Sequence, residues 1–440
     1  MKIQTTNNLC YRVDTNSNVI IWNRLYGNPL FINKEKLNLL LTNNFKSFHH
    51  DEIEILEKHQ ILLPEYKDNS ESYYKSIDNN HYINYSKLQQ VNSLMIELTN
   101  LCNFECSYCM HKKVTGKKLN TLSINDIKKS IHQINNLFAG NQKLPYKITF
   151  TGGEPLLKWN NIKRVVEFLN KTTGYPIKYR ILTNGSLIDE NIAFFLKNND
   201  FTVHLSIDGI DSVHNNNRPM INNNSYQCVK NGISILNKYD IDIGSVGVTI
   251  TNNNINHINN SFIDYIKNCG VKHCSIEPDL TARIDYISID KLAQKLVNIM
   301  LYAKQKDIIV KGFWNKPYVL MFQEVNENEK RISWCGATSG VGLVISSNAK
   351  WKVCPYLPFE IGNLDDDMDT IITNWSKWAL SYKKKQRNKC NGCLIESFCM
   401  GGCIVNQYYE GVTDFRCELY NKAFNILIDE TLKTNTFVNA

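Results

Sequence analysis

The sequence lacks any apolar run that approaches the about 18 to 20 residues needed to cross a membrane. Its first residues, MKIQTTNNLCYRVD, also lack the apolar core that follows the basic start of a secretory signal. We therefore expect a cytoplasmic protein with no membrane partner. Thiols stay reduced in that compartment, so the 14 cysteines are interpreted as metal ligands, with disulfides as the alternative.

A strong excess of one charge is also missing. The chain has 50 basic and 42 acidic residues, which leaves a net charge of +8. The basic run KKKQRNK at 383–389 could contact nucleic acid or an acidic peptide, but most such runs are solvated faces. We expect no nucleic-acid partner. The 440 residues exceed one ordinary core and suggest about three domains.

Residues 1–66 open with short β-branched and aromatic runs, CYRV, NVIIWN and PLFIN, that indicate strands separated by turns. Two helical patterns follow, KEKLNLLL, with Asn33 placed to cap it, and DEIEILEKHQ. Together they predict a small winged-helix-like module. The polar stretch after it predicts a linker at 67–92.

From residue 93 the pattern alternates between strands and helices. The predicted strands are SLMIEL (93–98), YKITFTG (146–152), IKYRILTN (177–184), TVHLSID (202–208), IGSVGVTI (243–250) and VKHCSIE (271–277). Repeated β-α units predict a parallel sheet with helices outside and active residues at the C-terminal strand ends. We expect a partial (β/α)6 TIM barrel, an α/β fold, over 93–285.

Two further regions complete the chain. A bridging helical region is predicted at 286–329, with IDKLAQKLVNIMLYAKQ (289–305) as its main helix. The zone at 330–440 holds seven cysteines and few long apolar runs. We therefore expect metal coordination, rather than a large core, to hold this zone together.

The first cysteine motif, CNFECSYC, follows the first predicted strand of the barrel. Its cysteines Cys102, Cys106 and Cys109 have the spacing C-x3-C-x2-C. A structural zinc site needs four ligands, and no fourth ligand lies nearby in the sequence. A 4Fe-4S cubane held by three thiolates leaves one iron open for a substrate.

A second motif, GGEP, begins at Gly152 and follows the next predicted strand. Consecutive glycines allow a strand edge to approach a ligand, and Glu154 could accept hydrogen bonds from a ligand ammonium. Alone, GGE is equally well explained by an ordinary turn. Combined with C-x3-C-x2-C at the preceding strand end, it is far more specific.

With these motifs the sequence resembles the radical S-adenosylmethionine (SAM) enzymes. The resemblance implies that the first three cysteines bind a 4Fe-4S cluster whose open iron chelates SAM. It also implies cofactor contacts from the GGE motif, from SIDG and HNNNRP after the fourth strand, and from the residue before the third cysteine. These SAM-binding residues are Tyr108, Gly152, Gly153, Glu154, Ser206 and Arg218. The resemblance identifies no catalytic base.

The later cysteines have the spacing C-x18-C, then C-x2-C-x5-C-x3-C-x13-C, which resembles the SPASM extension with two auxiliary 4Fe-4S clusters. The resemblance implies an outer cluster bound by Cys390, Cys393, Cys399 and Cys417. It implies an inner cluster bound by Cys335, Cys354 and Cys403, with an unknown fourth ligand.

This extension departs from its family at one position and leaves some cysteines over. Ala349 stands where the family usually has glycine, five residues before the second cysteine. Cys274 is a candidate fourth ligand of the inner cluster. Zinc is the alternative for this zone, although seven cysteines do not divide evenly into four-ligand sites. The remaining cysteines, expected to be ordinary thiols, are Cys10, Cys228 and Cys269.

The N-terminal module resembles the PqqD-like recognition element of ribosomal peptide maturases, which binds the leader of a precursor peptide as an added strand. A generic cap or a DNA-binding wing is the alternative, and the absence of a basic helix in 1–66 weighs against DNA.

The combined resemblance implies a radical SAM enzyme that abstracts a side-chain hydrogen in a precursor peptide and installs a C-C or ether crosslink. The nearest match is to cyclophane and darobactin-type maturases. Flavodoxin or ferredoxin would donate electrons, and the auxiliary clusters would accept one. Thioether formation, epimerisation and sulfatase activation are the alternative reactions, because enzymes that catalyse them have the same domains and clusters. A non-enzymatic Fe-S peptide-binding protein is the second class of function.

Overall fold

The computed structural model describes residues 2–65, 70–71, 73–75, 91–115, 119–138, 146–174, 176–323, 335–409 and 412–434. Most of the predicted linker at 67–92 lies outside the described residues, as does the predicted boundary between 329 and 330. In the part of the chain that is described, no helix has both the length and the apolar character that a membrane crossing requires.

The N-terminal module contains a three-stranded antiparallel sheet of order β2-β3-β4 and a separate pair, β1 with β5. Asn33 caps the first helix as predicted, because its Oδ1 accepts the backbone N–H of Lys36 at 2.8 Å. The elements are β1 Ile3–Thr5, β2 Leu9–Val13, β3 Asn18–Asn23, β4 Gly27–Asn33, α1 Lys34–Leu41, α2 His50–Lys58 and β5 Leu62–Pro64.

Strand β3 joins this module to the rest of the protein because both of its faces are buried. Val19 and Ile21 pack in the small core of the module, whereas Ile20 and Trp22 belong to the main core of the chain. The Trp22 indole donates to the carbonyl of Leu394 at 3.1 Å. The continuous apolar run VIIW is therefore explained by a strand packed between two cores.

The centre of the fold is a parallel sheet of seven strands in the order β12-β11-β10-β9-β8-β7-β6. All six predicted strands are confirmed. The seventh, β12, was not predicted, because three residues are too few to show a periodicity. The strands are β6 Ser93–Glu97, β7 Tyr146–Thr151, β8 Ile177–Thr183, β9 Thr202–Ser206, β10 Ile243–Ile250, β11 His273–Pro278 and β12 Ile309–Lys311.

Helices alternate with these strands, as the sequence predicted. Asn224 and Asn259, both from asparagine-rich runs, cap two of them by accepting backbone N–H groups. The helices are α3 Met110–Thr115, α4 Ile124–Phe138, α5 Trp159–Thr172, α6 Glu190–Asn198, α7 Ser212–Asn217, α8 Ser225–Lys238, α9 Asn260–Asn268, α10 Ile289–Gln305 and α11 Lys316–Met321, with a 3-10 turn at Pro155–Lys158.

The C-terminal zone extends the same sheet instead of forming a separate one. Strand β13 pairs in parallel with β6, and β14 and β15 follow it antiparallel. Its elements are α12 Gly336–Ser339, β13 Gly342–Ile345, β14 Lys350–Lys352, β15 Glu360–Asn363, α13 Met368–Cys390, α14 Glu396–Cys399, a 3-10 turn at Ile404–Gln407 and α15 Val412–Thr434.

The expectation that this zone lacks a substantial core is wrong. Its large side chains belong to one continuous core with the parallel sheet. The sequence hid this because the apolar residues are spread at helical spacing along α13 and α15 instead of forming runs. The fully buried side chains of the zone include Trp351, Trp375, Phe398, Phe415, Tyr420 and Phe424.

The turn between β13 and β14 explains the unusual alanine. Ala349 has a left-handed backbone, with φ of 60°, and its N–H donates to the carbonyl of Ser346 at 2.9 Å. A Cβ atom makes this conformation unfavourable by about 1 to 2 kcal/mol relative to right-handed backbone. The position therefore favours the glycine that the SPASM pattern usually carries there.

We predict that Ala349→Gly stabilises the protein by about 1 kcal/mol, because glycine adopts φ of 60° without strain. Thermal unfolding of anaerobically prepared protein measures the effect. The matched control is Gly340→Ala, just before β13, where φ is 80° and the substitution should destabilise. Equal or lower stability of Ala349→Gly would contradict the assignment of strain to this turn.

Candidate functional site

A cavity of about 310 Å³ opens at the C-terminal ends of the parallel strands. Strands β7, β9, β10 and β11 and the loop after β6 all contribute to its wall. Parallel strands bring their C-terminal ends to one edge of a sheet, which is why motifs far apart in sequence meet there. The predicted residues that line the cavity are Cys102, Cys106, Tyr108, Cys109, Gly152, Gly153, Ser206 and Arg218.

The cysteine loop, residues 99–109, connects β6 to α3 and groups three thiols at the cavity. Burial is the main reason that the pKa of Cys102 rises to about 12, and the nearby Glu154, Cys106 and Cys109 raise it further. The pKa of Cys106 is also raised, first by burial, and Cys109 again contributes. The three thiols therefore lie close enough to influence each other.

The glycines of the GGE motif pack against this loop. A Cβ on Gly152 would lie 2.2 Å from the carbonyl oxygen of Thr99, and one on Gly153 would lie 2.1 Å from that of Leu101. The N–H of Gly153 donates to the Thr99 carbonyl at 2.7 Å, and that of Glu154 donates to the Leu101 carbonyl at 2.7 Å. Glycine is needed here because the end of β7 clamps the backbone of the cysteine loop.

Glu154 is fully buried, and two of its hydrogen-bond partners, Thr183 and Asn184, line the cavity. It accepts hydrogen bonds from the Thr183 hydroxyl at 2.7 Å, from Asn184 N–H at 2.8 Å and from Leu156 N–H at 3.0 Å. Burial raises its pKa to about 7 despite these bonds. The structure thus gives Glu154 a role in holding the end of β8, and its contact with a ligand ammonium stays a prediction.

Asp208, at the end of the SIDG motif, is a central residue that sequence reasoning missed. It is fully buried and forms an ion pair with Arg218 at 2.9 Å, and it accepts a hydrogen bond from the Tyr108 hydroxyl. It also accepts from the Asn217 side chain and from Thr249 N–H, both at 2.8 Å. One carboxylate therefore orients two of the predicted SAM-binding residues. An acidic residue at a strand end was the available signal.

Ser206 and His214, from the same region, differ in their access to the cavity. Ser206 lies on β9 opposite Gly247 of β10, so the small neighbour leaves its side chain open to the cavity. His214 is fully buried on α7, and its Nδ1 accepts the N–H of Asp208 at 3.3 Å. Burial lowers the pKa of His214 to about 4. His214 is thus a neutral structural residue.

The structure brings Cys390, Cys393, Cys399 and Cys417 together; we call them the outer set. Burial raises the pKa of Cys390 to about 12, with further contributions from Cys417 and Cys393. Burial also raises the pKa of Cys399 well above its usual value, and the other three thiols all add to the effect. Cys390 ends α13, Cys393 lies in the loop that follows, Cys399 ends α14 and Cys417 lies on α15.

A second group, the inner set, consists of Cys335, Cys354 and Cys403. Burial raises the pKa of Cys354 to about 12, and Cys335 raises it further. Burial raises the pKa of Cys403 well above its usual value, with contributions from Cys354 and Cys335. Although Cys403 is only four residues from Cys399, it thus lies with a different group of thiols.

Two tyrosines lie between the groups of thiols. Burial raises the pKa of Tyr356, and the thiols that add to it come from both the cysteine loop and the inner set. Tyr356 also lines the cavity. Burial likewise raises the pKa of Tyr382 on α13, with contributions from thiols of both the inner and the outer set. No sequence motif marked these residues, because tyrosine is common in helices and loops.

The remaining cysteines lie apart from these groups, with one exception. Cys274 is fully buried in β11, and burial raises its pKa to about 12. Its role as the fourth ligand of the inner set stays a prediction. Cys228 and Cys269 are also thiols outside the sets. Cys10 is the exception: burial raises its pKa to about 11, Arg24 opposes the rise, and Cys393 of the outer set adds to it.

The geometry of the thiols bears on which metal centre they suit. None of the cysteines is in a disulfide. Among the described residues, no three His, Cys, Asp or Glu side chains converge tightly enough to hold a single metal ion. A cubane binds each thiolate at a different iron, so its ligands are spread around the cluster. Sets of cysteine thiols are the ligands that iron-sulfur clusters use, so the residues present fit such clusters.

Comparison with known proteins identifies the family of the chain. The profile of the Radical SAM superfamily matches residues 96–262, which include the cysteine loop, the GGE motif and Asp208. Radical SAM cyclopropyl synthase TigE of Paramaledivibacter caminithermalis is 25% identical over 439 residues, covering 92% of this chain and 89% of TigE. Uncharacterized protein MJ0907 of Methanocaldococcus jannaschii is 33% identical over 277 residues, covering 62% of this chain and 88% of MJ0907.

A solved structure has the same fold over nearly the whole chain. Streptococcus suis SuiB bound to precursor peptide SuiA matches with a TM-score of 0.54 and 17% identity, covering 93% of this chain and 97% of SuiB. The α/β architecture with its mostly parallel sheet is thus shared. On the family profile and on the extent of the MJ0907 match, the chain is an enzyme of the radical SAM superfamily.

Proposed function

We propose that this enzyme modifies a ribosomally made precursor peptide and joins two of its residues by a new C-C or ether bond. The observation that carries the proposal is the grouping of ten cysteines into three sets around and beside one cavity. TigE, which aligns with 92% of the chain, is named as a cyclopropyl synthase, and SuiB was solved with its precursor peptide.

In this proposal Cys102, Cys106 and Cys109 hold the 4Fe-4S cluster that binds SAM. When bound, the cluster and SAM together supply a 5'-deoxyadenosyl radical that removes a hydrogen atom from the substrate. The chain contributes the positions of Tyr108 and Arg218, which Asp208 fixes, and the two glycines that clamp the cysteine loop. Side chains held this way need little rearrangement when the cofactor binds.

The outer and inner sets would each hold an auxiliary 4Fe-4S cluster. A peptide that loses two hydrogens releases a second electron, and this electron needs an acceptor inside the protein. The inner set is the nearer candidate, because Tyr356 contacts the cavity on one side and is influenced by Cys354 and Cys403 on the other. Flavodoxin or ferredoxin would supply the first electron.

The N-terminal module offers a groove for the leader of the peptide. Its cavity of about 540 Å³ lies between β4 and α2, and its wall includes Leu30, Phe31 and Ile55. Phe31 and Ile55 remain 45% and 47% exposed, which is unusual for large apolar side chains and typical of a binding surface. In the described sheet β4 is an edge strand, so a leader can add to it as a further strand.

The domain arrangement fits a tethered substrate. The winged-helix-like module docks on the zone that carries the outer set, through Trp22 and through the ion pair between Arg24 and Glu396. A leader held on β4 would keep the rest of the peptide at high local concentration near the cavity. Thioether formation and epimerisation need the same cofactors. Epimerisation leaves the mass of the peptide unchanged, whereas thioether formation removes two hydrogens, as the proposed crosslink does, but consumes a cysteine thiol, so alkylation of free thiols in the product distinguishes it.

We predict that Cys102→Ala, Cys106→Ala and Cys109→Ala each abolish the formation of 5'-deoxyadenosine from SAM, because a cubane with two thiolates is not retained. Chromatography of anaerobic reactions with dithionite measures the product. Cys228→Ala is the matched control, since this thiol lies on α8, apart from the cavity, and should leave activity unchanged. Wild-type deoxyadenosine formation in any of the three variants would refute the assignment of that cysteine as a ligand, and no deoxyadenosine from the wild-type protein would favour the non-enzymatic alternative.

We predict that Phe31→Ala combined with Ile55→Ala weakens binding of the precursor peptide at least about tenfold, because two apolar contacts of the groove are lost. The probe is the product of a short reading frame beside the gene, measured by fluorescence anisotropy. SAM cleavage without peptide should continue in this variant. Phe194→Ala, on α6 and 61% exposed, is the control for loss of an exposed aromatic. Unchanged affinity would refute the leader groove.

A further inference from the structure

Strand β11 ends at the cavity on a carboxylate that sequence reasoning did not identify. Along this strand Cys274 and Ile276 are buried in the core, whereas Ser275 and Glu277 line the cavity on the opposite face. The alternation follows from the period of two in a strand. Glu277 therefore faces the same space as the cysteine loop and the predicted SAM-binding residues.

The Glu277 carboxylate is held in place without being saturated. Its Oε2 accepts the N–H of Phe313 at 2.7 Å, and its Oε1 lies 3.3 Å from Nη1 of Arg416. Arg416 is itself only 1% exposed and is fixed by hydrogen bonds to the carbonyls of Pro278 and Asp279. An ionised carboxylate has about four acceptor positions, and the bonds from described residues occupy two of those on Glu277.

Glu277 also lies beside the inner set. It is among the groups that raise the pKa of Cys403, after burial and the thiols of Cys354 and Cys335. Its position is therefore between the cavity, where a peptide would react, and the thiols proposed to hold the electron acceptor. A proton and an electron that leave the peptide together would move toward the same wall of the cavity.

Other ionisable groups of the cavity wall are committed elsewhere. The Tyr108 hydroxyl donates to Asp208, and His111 is paired with the buried Glu97 at 2.8 Å. The second carboxylate of the wall, Asp279, accepts two hydrogen bonds from Thr281 within its own loop, as many as Glu277 accepts. Of these two described carboxylates, Glu277 is the one that has an electrostatic effect on Cys403 of the inner set, which is why it is preferred here as the proton acceptor.

We propose that Glu277 accepts the proton that the peptide releases in the crosslinking step. After one hydrogen atom has been removed, the peptide carbon radical forms a bond to a neighbouring atom as the X–H bond of that atom breaks. The proton passes to the Glu277 carboxylate, which becomes a neutral carboxylic acid. The remaining electron reduces an oxidised iron-sulfur cluster at the inner set by one electron. This role rests on the proposed function.

The electrostatics of the site agree with this role. Burial raises the pKa of Glu277 to about 7, against the opposing effects of Arg416 and of the Phe313 N–H. The ionisable groups that face it are Arg416 and Tyr420 on α15 and Cys403 in the loop before it. A proton acceptor works best when its pKa is near the operating pH. Product formation should therefore rise with pH and level off above about 7.

The test is Glu277→Gln, which keeps the shape of the side chain but removes the base. The rate of formation of the peptide lighter by two hydrogens should fall about 100-fold or more, while deoxyadenosine still forms. The pH dependence near 7 should disappear from the residual rate. A second readout uses protein without peptide: the infrared band of a neutral carboxyl group at pH 6 should be weaker in Glu277→Gln than in wild type.

Two further variants separate proton transfer from a structural effect. Glu277→Asp keeps a carboxylate and should recover part of the product rate and its pH dependence. His273→Gln, at the other end of β11, is the control for a substitution in this strand. Wild-type product formation in Glu277→Gln, or equal loss of deoxyadenosine and product in both Glu277 variants, would overturn the role. If the wild-type enzyme forms deoxyadenosine but the mass of the peptide never falls by two hydrogens, the proposed function itself is wrong, and so is this role of Glu277.

Discussion

The burial of thiols beside one another is the constraint on which this structure depends. A buried thiol resists losing its proton, and each nearby thiol makes the loss harder, as the raised pKa of Cys102, Cys390 and Cys354 indicates. Metal coordination reverses this balance, because a coordinated thiol is deprotonated by the charge of the metal. Without metal the three groups of buried thiols therefore stay protonated and neutral, and metal binding would convert them to thiolates.

The rest of the fold holds these groups in register with one cavity. The GGE glycines bring the end of β7 against the cysteine loop, and Asp208 fixes Tyr108 and Arg218 on the opposite side. The inner set lies near the ends of two strands that are far apart in the sheet order. Glu97 of β6 contributes to the raised pKa of Cys354, and Glu277 of β11 contributes to that of Cys403. The C-terminal zone thus lies near the C-terminal ends of strands from both sides of the parallel sheet.

Local sequence patterns predicted much of this architecture. Periodicity and capping act over a few residues, so the sequence predicted six strands of the parallel sheet, the long helix Ile289–Gln305 and the Asn33 cap. The short strand β12 and the pairing of β13 with β6 were not, since they depend on contacts between distant segments. The core of the C-terminal zone was missed for the same reason.

The site was predicted in its residues more than in its geometry. The cysteine spacing and the GGE motif identified the cavity wall, but the direction of the Glu154 carboxylate depends on its bonds to Thr183 and Asn184. Asp208 and Glu277 carried no motif of their own beyond an acid at a strand end. Their importance comes from the partners that the fold brings to them, Arg218 and Arg416.

The most direct test of the account is the iron and sulfide content of anaerobically purified wild-type protein and of Cys403→Ala. Three 4Fe-4S clusters correspond to about twelve irons and twelve sulfides per chain. If Cys403 belongs to the inner set, the substitution should lower both by about four, or convert one cluster to a three-iron form, and leave the outer cluster intact. A wild-type content near zero, or selective loss of the cluster held by Cys390, Cys393, Cys399 and Cys417, would contradict the account.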